Sequence, residues 1–225
     1  MWIILPIKNL DQAKQRLSGA LSGDERRALF EVMLRDVLKA LRDVQTAAGV
    51  LIVSREARAR ELAAEFGADL LVEADNIGQS AAVQRGVDWV RDRGGRGVVT
   101  VPGDTPALTA AELDELIALN GTDARALTLS PSHDRRGTNC IVASPPDLIP
   151  FHFGHQSFQP HLAEAEAIGI TPKIRPLPGV GLDIDTPEDA LKFLDMGTDT
   201  GTHRFMEDHG IAARLRAHEA REGSA

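Results

Sequence analysis

The sequence predicts a single-domain α/β fold whose mostly parallel, mixed sheet is covered by helices on both faces. In the first half of the 225-residue chain, short apolar segments alternate with longer amphipathic ones. The apolar segments are continuous rather than alternating, which is typical of strands buried on both faces of a sheet. Regular alternation of strands and helices indicates right-handed crossovers between parallel strands.

Five segments fit the strands: residues 2–7, 50–54, 69–72, 97–101 and 126–130. Ser22 and Thr109 each precede a glutamate by three residues, and such a capping box predicts the start of a helix. Thr186 as N-cap, with Pro187 at the first helical position, predicts another helix. A further helix is expected to run to about Arg93.

The alternation of strands and helices is less regular in the second half of the chain. Segments 138–144 and 173–177 fit strands around a loop at 145–160, so we expect an antiparallel or mixed element there. Residues 197–225 are polar and charged, and we expect a C-terminal helical tail with one helix over 205–220. The predicted division is therefore a domain at 1–196 and a tail at 197–225.

Composition limits the classes of protein that need to be considered. The chain has 25 Lys and Arg against 33 Asp and Glu, which argues against a nucleic-acid partner. Its apolar start is too short for a signal peptide, and no run of 18 apolar residues could span a membrane. The single cysteine, Cys140, rules out an internal disulfide. We expect a cytoplasmic protein without nucleic-acid or membrane partners.

Basic residues follow the first predicted strand. Ligands of open α/β sheets bind beyond the carboxyl ends of the strands, so Lys8, Lys14 and Arg16 are candidate contacts of a polyphosphate. The glycine signatures of dinucleotide-binding folds and of Walker-type loops are absent. A solvated basic turn is the alternative interpretation.

Three aspartates are candidate metal ligands. Residues two apart in a strand project to one face, so a strand here would place the carboxylates of Asp183 and Asp185 on the same side, which is costly without a cation. Together with Asp104, which follows the fourth strand, they could hold Mg²⁺. The alternatives are that Asp104 stabilises a turn and that Asp185 caps the next helix.

A small polar segment lies at another helix start. Asn76, Gly78 and Ser80 would offer N–H groups to an anion or a nucleobase. From this segment alone, an ordinary helix start is the favoured interpretation.

Two hydroxyl residues lie beside glycines in the second half of the chain. Thr138, Gly154 and Ser157 suit a small phosphate or carboxylate. Three histidines lie in the same region: His152, His155 and His161. Their spacing fits no closed zinc site.

Taken together, these segments resemble the CofC/FbiD guanylyltransferases. The matching motifs are Pro6-x-Lys8-x-Leu10-x-x-Ala13-Lys14-x-Arg16-Leu17, Pro102-Gly103-Asp104-x-Pro106, Gly137-Thr138-Asn139, Phe153-Gly154-x-x-Ser157-Phe158 and Leu182-Asp183-Ile184-Asp185-Thr186-Pro187. The resemblance extends from Met1 to about Leu194. It implies a nucleotidyltransferase fold of the GT-A-like type.

The implied reaction joins GTP to a three-carbon phosphorylated acid with release of pyrophosphate, in the biosynthesis of coenzyme F-420. We expect phosphoenolpyruvate as the acid and enolpyruvoyl-2-diphospho-5'-guanosine as the product. The alternatives are 3-phospho-D-glycerate and 2-phospho-L-lactate. Outside this family, a sugar-type nucleotidyltransferase, a glycosyltransferase and a non-catalytic nucleotide-binding protein are the competing hypotheses.

The resemblance also implies a role for each motif. The triphosphate would meet Lys8, Lys14 and Arg16; Mg²⁺ would meet Asp104, Asp183 and Asp185; the acid would meet Thr138, Gly154 and Ser157; guanine would meet Ser54, Asn76, Gly78 and Ser80. A downstream transferase that consumes the unstable product is the implied protein partner, and a homodimer is compatible with the sequence. His155, Gln156 and the segment 133–136 depart from the family pattern beside the acid site.

Overall fold

The structure, a computed structural model, describes residues 1–75 and 78–222. Its strands are β1 (Trp2–Pro6), β2 (Gly49–Ser54), β3 (Asp69–Val72), β4 (Val98–Thr100), β5 (Ala126–Pro131), β6 (Thr138–Ser144) and β7 (Lys173–Ile174). Within this described part of the chain, they form one seven-stranded sheet of order β3-β2-β1-β4-β6-β5-β7. β6 runs antiparallel to β4 and β5, whereas the pairs β1–β2, β1–β4, β2–β3 and β5–β7 are parallel. The predicted mixed, mostly parallel sheet is confirmed.

The helices are α1 (Gly23–Arg42), α2 (Ala57–Phe66), α3 (Gln79–Asp92), α4 (Ala110–Asn120), α5 (Phe158–Ala167), α6 (Pro178–Gly181), α7 (Pro187–Asp195), α8 (Gly201–Asp208) and α9 (Ile211–Glu222). Alternate residues of β1 point to opposite faces of the sheet. Ile3 and Leu5 belong to a core with α1, α2 and α4, whereas Ile4 belongs to a core with α3 and α5. Helices therefore cover both faces, as predicted.

The predicted helix starts are confirmed. Ser22, Thr109 and Thr186 each accept a hydrogen bond from the backbone N–H three residues later, in a complete capping box. The close approach of α3 to the sheet depends on Gly86, since a Cβ there would lie 2.8 Å from Ile4 Cγ2. This contact brings the start of α3 to the edge of the sheet where β1 ends.

The segment from residue 138 to residue 177 differs from the prediction in two places. The strand expected at 173–177 is limited to Lys173–Ile174. Helix α5 (Phe158–Ala167) begins inside the segment that was expected to be a loop. Pro160 lies in its first turn, where proline removes no helical hydrogen bond, so this proline does not mark a loop.

The single tail helix predicted over 205–220 is wrong. Gly210 adopts a left-handed φ of 62° and separates α8 from α9, because glycine takes this conformation without steric cost. Met206 and Leu215 are fully buried, so both helices pack against the rest of the protein. Asp36 of α1 accepts hydrogen bonds from the backbone N–H of Gly201 and Thr202. The domain boundary at residue 196 stays a prediction.

None of the described helices has both the length and the apolar character needed to cross a membrane.

Candidate active site

A cavity of about 550 Å³ opens at one edge of the sheet, where β1, β4 and β5 end and β6 begins. Its volume suits a small ligand. Among the predicted residues, those that line it are Lys8, Arg16, Asp104, Thr138, Gly154, Ser157, Asp183 and Asp185. The fold thus brings together motifs that are more than 170 residues apart in the sequence.

Lys14 is an internal cation that joins two of the aspartates. Its side chain is 4% exposed, and its Nζ lies 2.5 Å from Asp104 Oδ2 and 2.8 Å from Asp185 Oδ1. Burial alone would lower the pKa of Lys14, but the two carboxylates outweigh burial and raise this pKa. Lys14 does not line the cavity, so its predicted contact with a triphosphate stays a prediction.

The other two predicted basic residues do line the cavity. The Arg16 guanidinium is exposed and lies 3.9 Å from Asp185 Oδ2. Lys8 is half-buried, and its pKa is lowered, mainly because burial disfavours the charged form. The Arg85 charge also lowers this pKa, and Glu73 offsets part of the effect. Both side chains supply positive charge at the end of β1.

Asp183 lies in the segment that joins α6 to α7, and this segment is not the strand that was predicted for Asp183 and Asp185. Its position is fixed by the Ile184 N–H, which donates to the Asp104 carbonyl at 3.0 Å. The Asn139 side-chain amide donates to Asp183 Oδ1 and to the Val180 carbonyl, each at 3.0 Å. Burial and the negative charge of Asp104 raise the pKa of Asp183 to about 6.

Asp185 differs from Asp183 because it faces cations. Burial alone would raise the pKa of Asp185, but Lys14, with a smaller contribution from Arg16, lowers it. The alternative that Asp185 caps α7 is wrong, since the Thr186 side chain caps this helix together with Asp189.

The three aspartates suit a divalent cation in charge and in donor type. Asp104 and Asp185 contact Lys14, and Asp183 lies close enough to feel the charge of both carboxylates, so the cluster of these three aspartates and Lys14 has an excess of negative charge. Carboxylate oxygens are the ligands that Mg²⁺ prefers in proteins. As arranged in the described part of the chain, however, no three His, Cys, Asp or Glu side chains form a metal site. Mg²⁺ binding therefore stays a prediction.

The residues predicted to hold the acid lie together on another wall of the cavity. The backbone N–H of Thr138 donates to Ser157 Oγ at 2.8 Å, and the N–H of Ser157 donates to the Gly154 carbonyl at 3.2 Å. Both hydroxyl residues are almost fully buried. The wall is therefore a connected polar unit rather than three separate contacts.

His161 lies behind this wall. It is fully buried, with Nδ1 3.0 Å from Thr138 Oγ1 and Nε2 accepting the backbone N–H of His152 at 2.9 Å. Burial lowers the pKa of His161 to about 4. The sequence offered only a histidine spacing that fits no zinc site, and this spacing gave no indication of a contact with Thr138.

Of the residues predicted to bind guanine, the three that the structure describes, Ser54, Gly78 and Ser80, do not line the cavity, so their contact with guanine stays a prediction. Ser54 Oγ donates to the Ile7 carbonyl at 2.7 Å, and Ser80 Oγ accepts the Phe153 N–H at 2.8 Å. Gly78 is the N-cap of α3 with a φ of 114°. Asn76 lies outside the described residues.

Sequence reasoning gave no role to several residues that line the cavity. Lys192 Nζ lies 2.9 Å from His133 Nε2, and Arg136 adds a further cation. The sequence marked 133–136 as a departure from the family pattern, but nothing in it pointed to Lys192 on α7. These side chains bring further cations to the cavity, beside the acidic Asp134 and Asp189.

Comparison with known proteins identifies the family of this chain. A family model described as "Guanylyl transferase CofC like" matches residues 1–223. The chain belongs to the CofC-like guanylyl transferase family. The match includes α8 and α9, so the family pattern extends beyond Leu194, where the motif resemblance ended.

Curated relatives of this CofC-like chain differ in the acid that their names give. A phosphoenolpyruvate guanylyltransferase of Conexibacter woesei is 39% identical over 186 residues, which are 83% of each chain. A 2-phospho-L-lactate guanylyltransferase of Methanocaldococcus jannaschii is 30% identical and covers 94% of this chain and 90% of its own. A 3-phospho-D-glycerate guanylyltransferase of Colwellia psychrerythraea is 29% identical, covering 83% of this chain and 88% of its own.

Solved structures confirm the nucleotidyltransferase fold of this CofC-like chain. A protein of Desulfovibrio desulfuricans G20, described as a nucleotide-diphospho-sugar transferase, aligns with a TM-score of 0.79 at 15% identity and covers 96% of both chains. A cytidylyltransferase of Leptospira borgpetersenii aligns with a TM-score of 0.57 at 14% identity, covering 95% of this chain and 94% of its own. At these identities the likeness concerns the fold alone.

Proposed function

We propose that this protein joins GTP to phosphoenolpyruvate, releasing pyrophosphate and forming enolpyruvoyl-2-diphospho-5'-guanosine in cytoplasmic coenzyme F-420 biosynthesis. The observation that supports this most strongly is one cavity lined both by Asp104, Asp183 and Asp185 and by the wall of Thr138, Gly154 and Ser157. Such a cavity offers a polyanion and a small phosphorylated acid separate places to bind. The same reaction with 3-phospho-D-glycerate or 2-phospho-L-lactate is the alternative.

The reaction requires two anions to approach each other. A phosphate oxygen of the acid, already ionised at pH 7, attacks the α-phosphorus of GTP. The bond from this phosphorus to the bridging oxygen of the β-phosphate breaks, and pyrophosphate leaves with that electron pair. No general base is needed, since the nucleophile has no proton to lose. Lys8 and Arg16 offset the charge of the triphosphate and orient it for in-line attack.

Asp104, Asp183 and Asp185 would hold Mg²⁺, which supplies charge neutralisation at the phosphates of the nucleotide. Lys14 holds Asp104 and Asp185 in place from the protein side. Asn139 orients Asp183 from the side of β6. Each aspartate therefore has a protein partner that fixes its position before any ligand binds.

The acid is held by hydroxyl and backbone donors. Its phosphate and carboxylate oxygens accept from the wall of Thr138, Gly154 and Ser157. Lys192 and Arg136 line the same cavity and add positive charge for a substrate with more than one anionic group.

The test is Mg²⁺-dependent pyrophosphate release from GTP, with each of the three acids in parallel. The downstream transferase and its deazaflavin acceptor are included because the product is unstable. Release with phosphoenolpyruvate, and none when ATP replaces GTP, is expected. Pyrophosphate release with another acid would reassign the substrate. No release with any of the three acids would contradict the proposal and make sugar phosphates the next substrates to screen.

A further inference from the structure

We propose that His161 is a positioning residue that directs the hydroxyl hydrogen of Thr138 into the cavity, beside the hydroxyl of Ser157 and toward the oxyanions of the phosphorylated acid. This inference rests on the proposed function, since it assigns the acid to this wall. His161 itself touches neither substrate, because it lies behind Thr138 and is fully buried.

The tautomer of His161 follows from its hydrogen-bond partners. The backbone N–H of His152 can only donate, and it points at Nε2 from 2.9 Å. Nε2 must therefore present a lone pair. In a neutral imidazole the proton is then on Nδ1. The low pKa of His161, about 4, agrees with a neutral ring at pH 7; burial and His152 lower this pKa, whereas Glu164 raises it.

This tautomer decides the direction of the next hydrogen bond. With its proton on Nδ1, the imidazole donates to Thr138 Oγ1 across 3.0 Å. The hydroxyl of Thr138 therefore acts as an acceptor toward His161, and its own hydrogen is left for a different acceptor. The opposite tautomer would draw that hydrogen toward the ring and away from the cavity.

The hydroxyl of Ser157 also accepts a hydrogen bond from the protein and keeps its own hydrogen for a ligand. Its Oγ accepts the backbone N–H of Thr138 at 2.8 Å, so its hydrogen is also available to a ligand. Both hydroxyls belong to nearly buried residues that line the cavity. Ionised phosphate and carboxylate groups only accept hydrogen bonds, so a wall with two outward O–H donors matches them.

Two substitutions separate this role from simple support of the fold. In His161→Asn, the side-chain amide N–H takes the place of Nδ1–H and retains the donor to Thr138, but the acceptor for His152 is lost. In His161→Gln, the carbonyl oxygen takes the place of Nε2 and retains that acceptor, but the donor to Thr138 is lost. Each variant thus keeps one of the two hydrogen bonds.

The expected result is a change in the KM for the acid. His161→Gln should raise this KM about tenfold, equivalent to about 1.4 kcal/mol, with kcat and the KM for GTP within twofold of wild type. His161→Asn should keep the KM for the acid at least fivefold below that of His161→Gln. In a Thr138→Val background, His161→Gln should have no further effect. The reverse order of the two variants, or equal values, would overturn the proposal.

A second measurement requires no substrate. Long-range ¹H–¹⁵N NMR of the ligand-free protein, with the His161 signals assigned by their loss in His161→Asn, should show a neutral ring protonated at Nδ1. A ring protonated at Nε2, or a charged ring at pH 7, would overturn the proposal. If wild-type protein turned over none of the three acids, the proposed function would fail, and the NMR result would still decide the inference about His161.

Discussion

Removing the internal cation is the sharpest test of how the aspartate cluster is held. Lys14→Met keeps the length of the aliphatic part of the side chain and removes the ammonium that contacts Asp104 and Asp185. Lys14 has a left-handed φ of 55°, and methionine has the same backbone cost there, so the comparison isolates the charge. Breaking a buried ion pair typically costs about 3–5 kcal/mol. Since Asp104 and Asp185 remain 24% and 45% exposed and water can reach them, we expect about 3 kcal/mol.

Urea unfolding at pH 7.5 measures this loss, provided that the slope of free energy against urea is unchanged. Lys39→Met is the matched control. Lys39 Nζ lies 3.4 Å from Asp36 and its side chain is 52% exposed, so the control should lose less than about 1 kcal/mol. Lys14→Met with Asp104→Asn should recover part of the loss, because one unpaired carboxylate is removed. A loss in Lys14→Met no larger than that of the control would refute the reasoning.

Three further predictions concern the cavity. Asp183→Asn should lower the rate of pyrophosphate release at least about 100-fold, because a proposed Mg²⁺ ligand is lost. In Mg²⁺-free buffer the variant should melt no earlier than wild type, because a neutral group replaces a carboxylate whose pKa is raised. Wild-type turnover in this variant would contradict the metal assignment. Ser157→Ala should raise the KM for the acid about tenfold and leave the KM for GTP unchanged, since one hydrogen-bond donor is lost; an unaltered KM would place the acid elsewhere. Because His161 has a pKa of about 4 instead of 6.5, the unfolded chain takes up a proton between these pH values that the native protein excludes. The free energy of unfolding of wild type relative to His161→Asn should therefore fall by up to about 3 kcal/mol as the pH decreases from 6.5 to 4, and a difference that is constant over this range would show that His161 is not buried as a neutral ring.

Local patterns predicted most of the fold. Continuous apolar segments marked the central strands, and Ser22, Thr109 and Thr186 marked helix starts, because these signals act within a few residues. The prediction of a single tail helix was wrong because Gly210, in a left-handed conformation, divides one amphipathic segment into two helices. The start of helix α5 was not predicted, because a proline such as Pro160 is common in loops as well as in the first turn of a helix.

The site was predictable where residue type and local spacing indicate the chemistry. Asp104 and Asp183 were found in this way, and both line the cavity. The contacts that hold these two aspartates were not predicted, because Lys14 is 90 positions from Asp104 and Asn139 is 44 positions from Asp183. The orientation of Thr138 depends on His161, which no sequence signal connects to it.

The measurement that tests the central claim most directly follows the phosphorus atoms of GTP. GTP labelled with ³²P at the α or at the γ position is incubated with phosphoenolpyruvate, Mg²⁺ and the enzyme, with Asp183→Asn as the inactive control. Guanylyl transfer predicts that the α label enters a new diphosphate-linked product and that the γ label appears in pyrophosphate. Transfer of the γ label to the acid, or its release as free phosphate, would contradict the account.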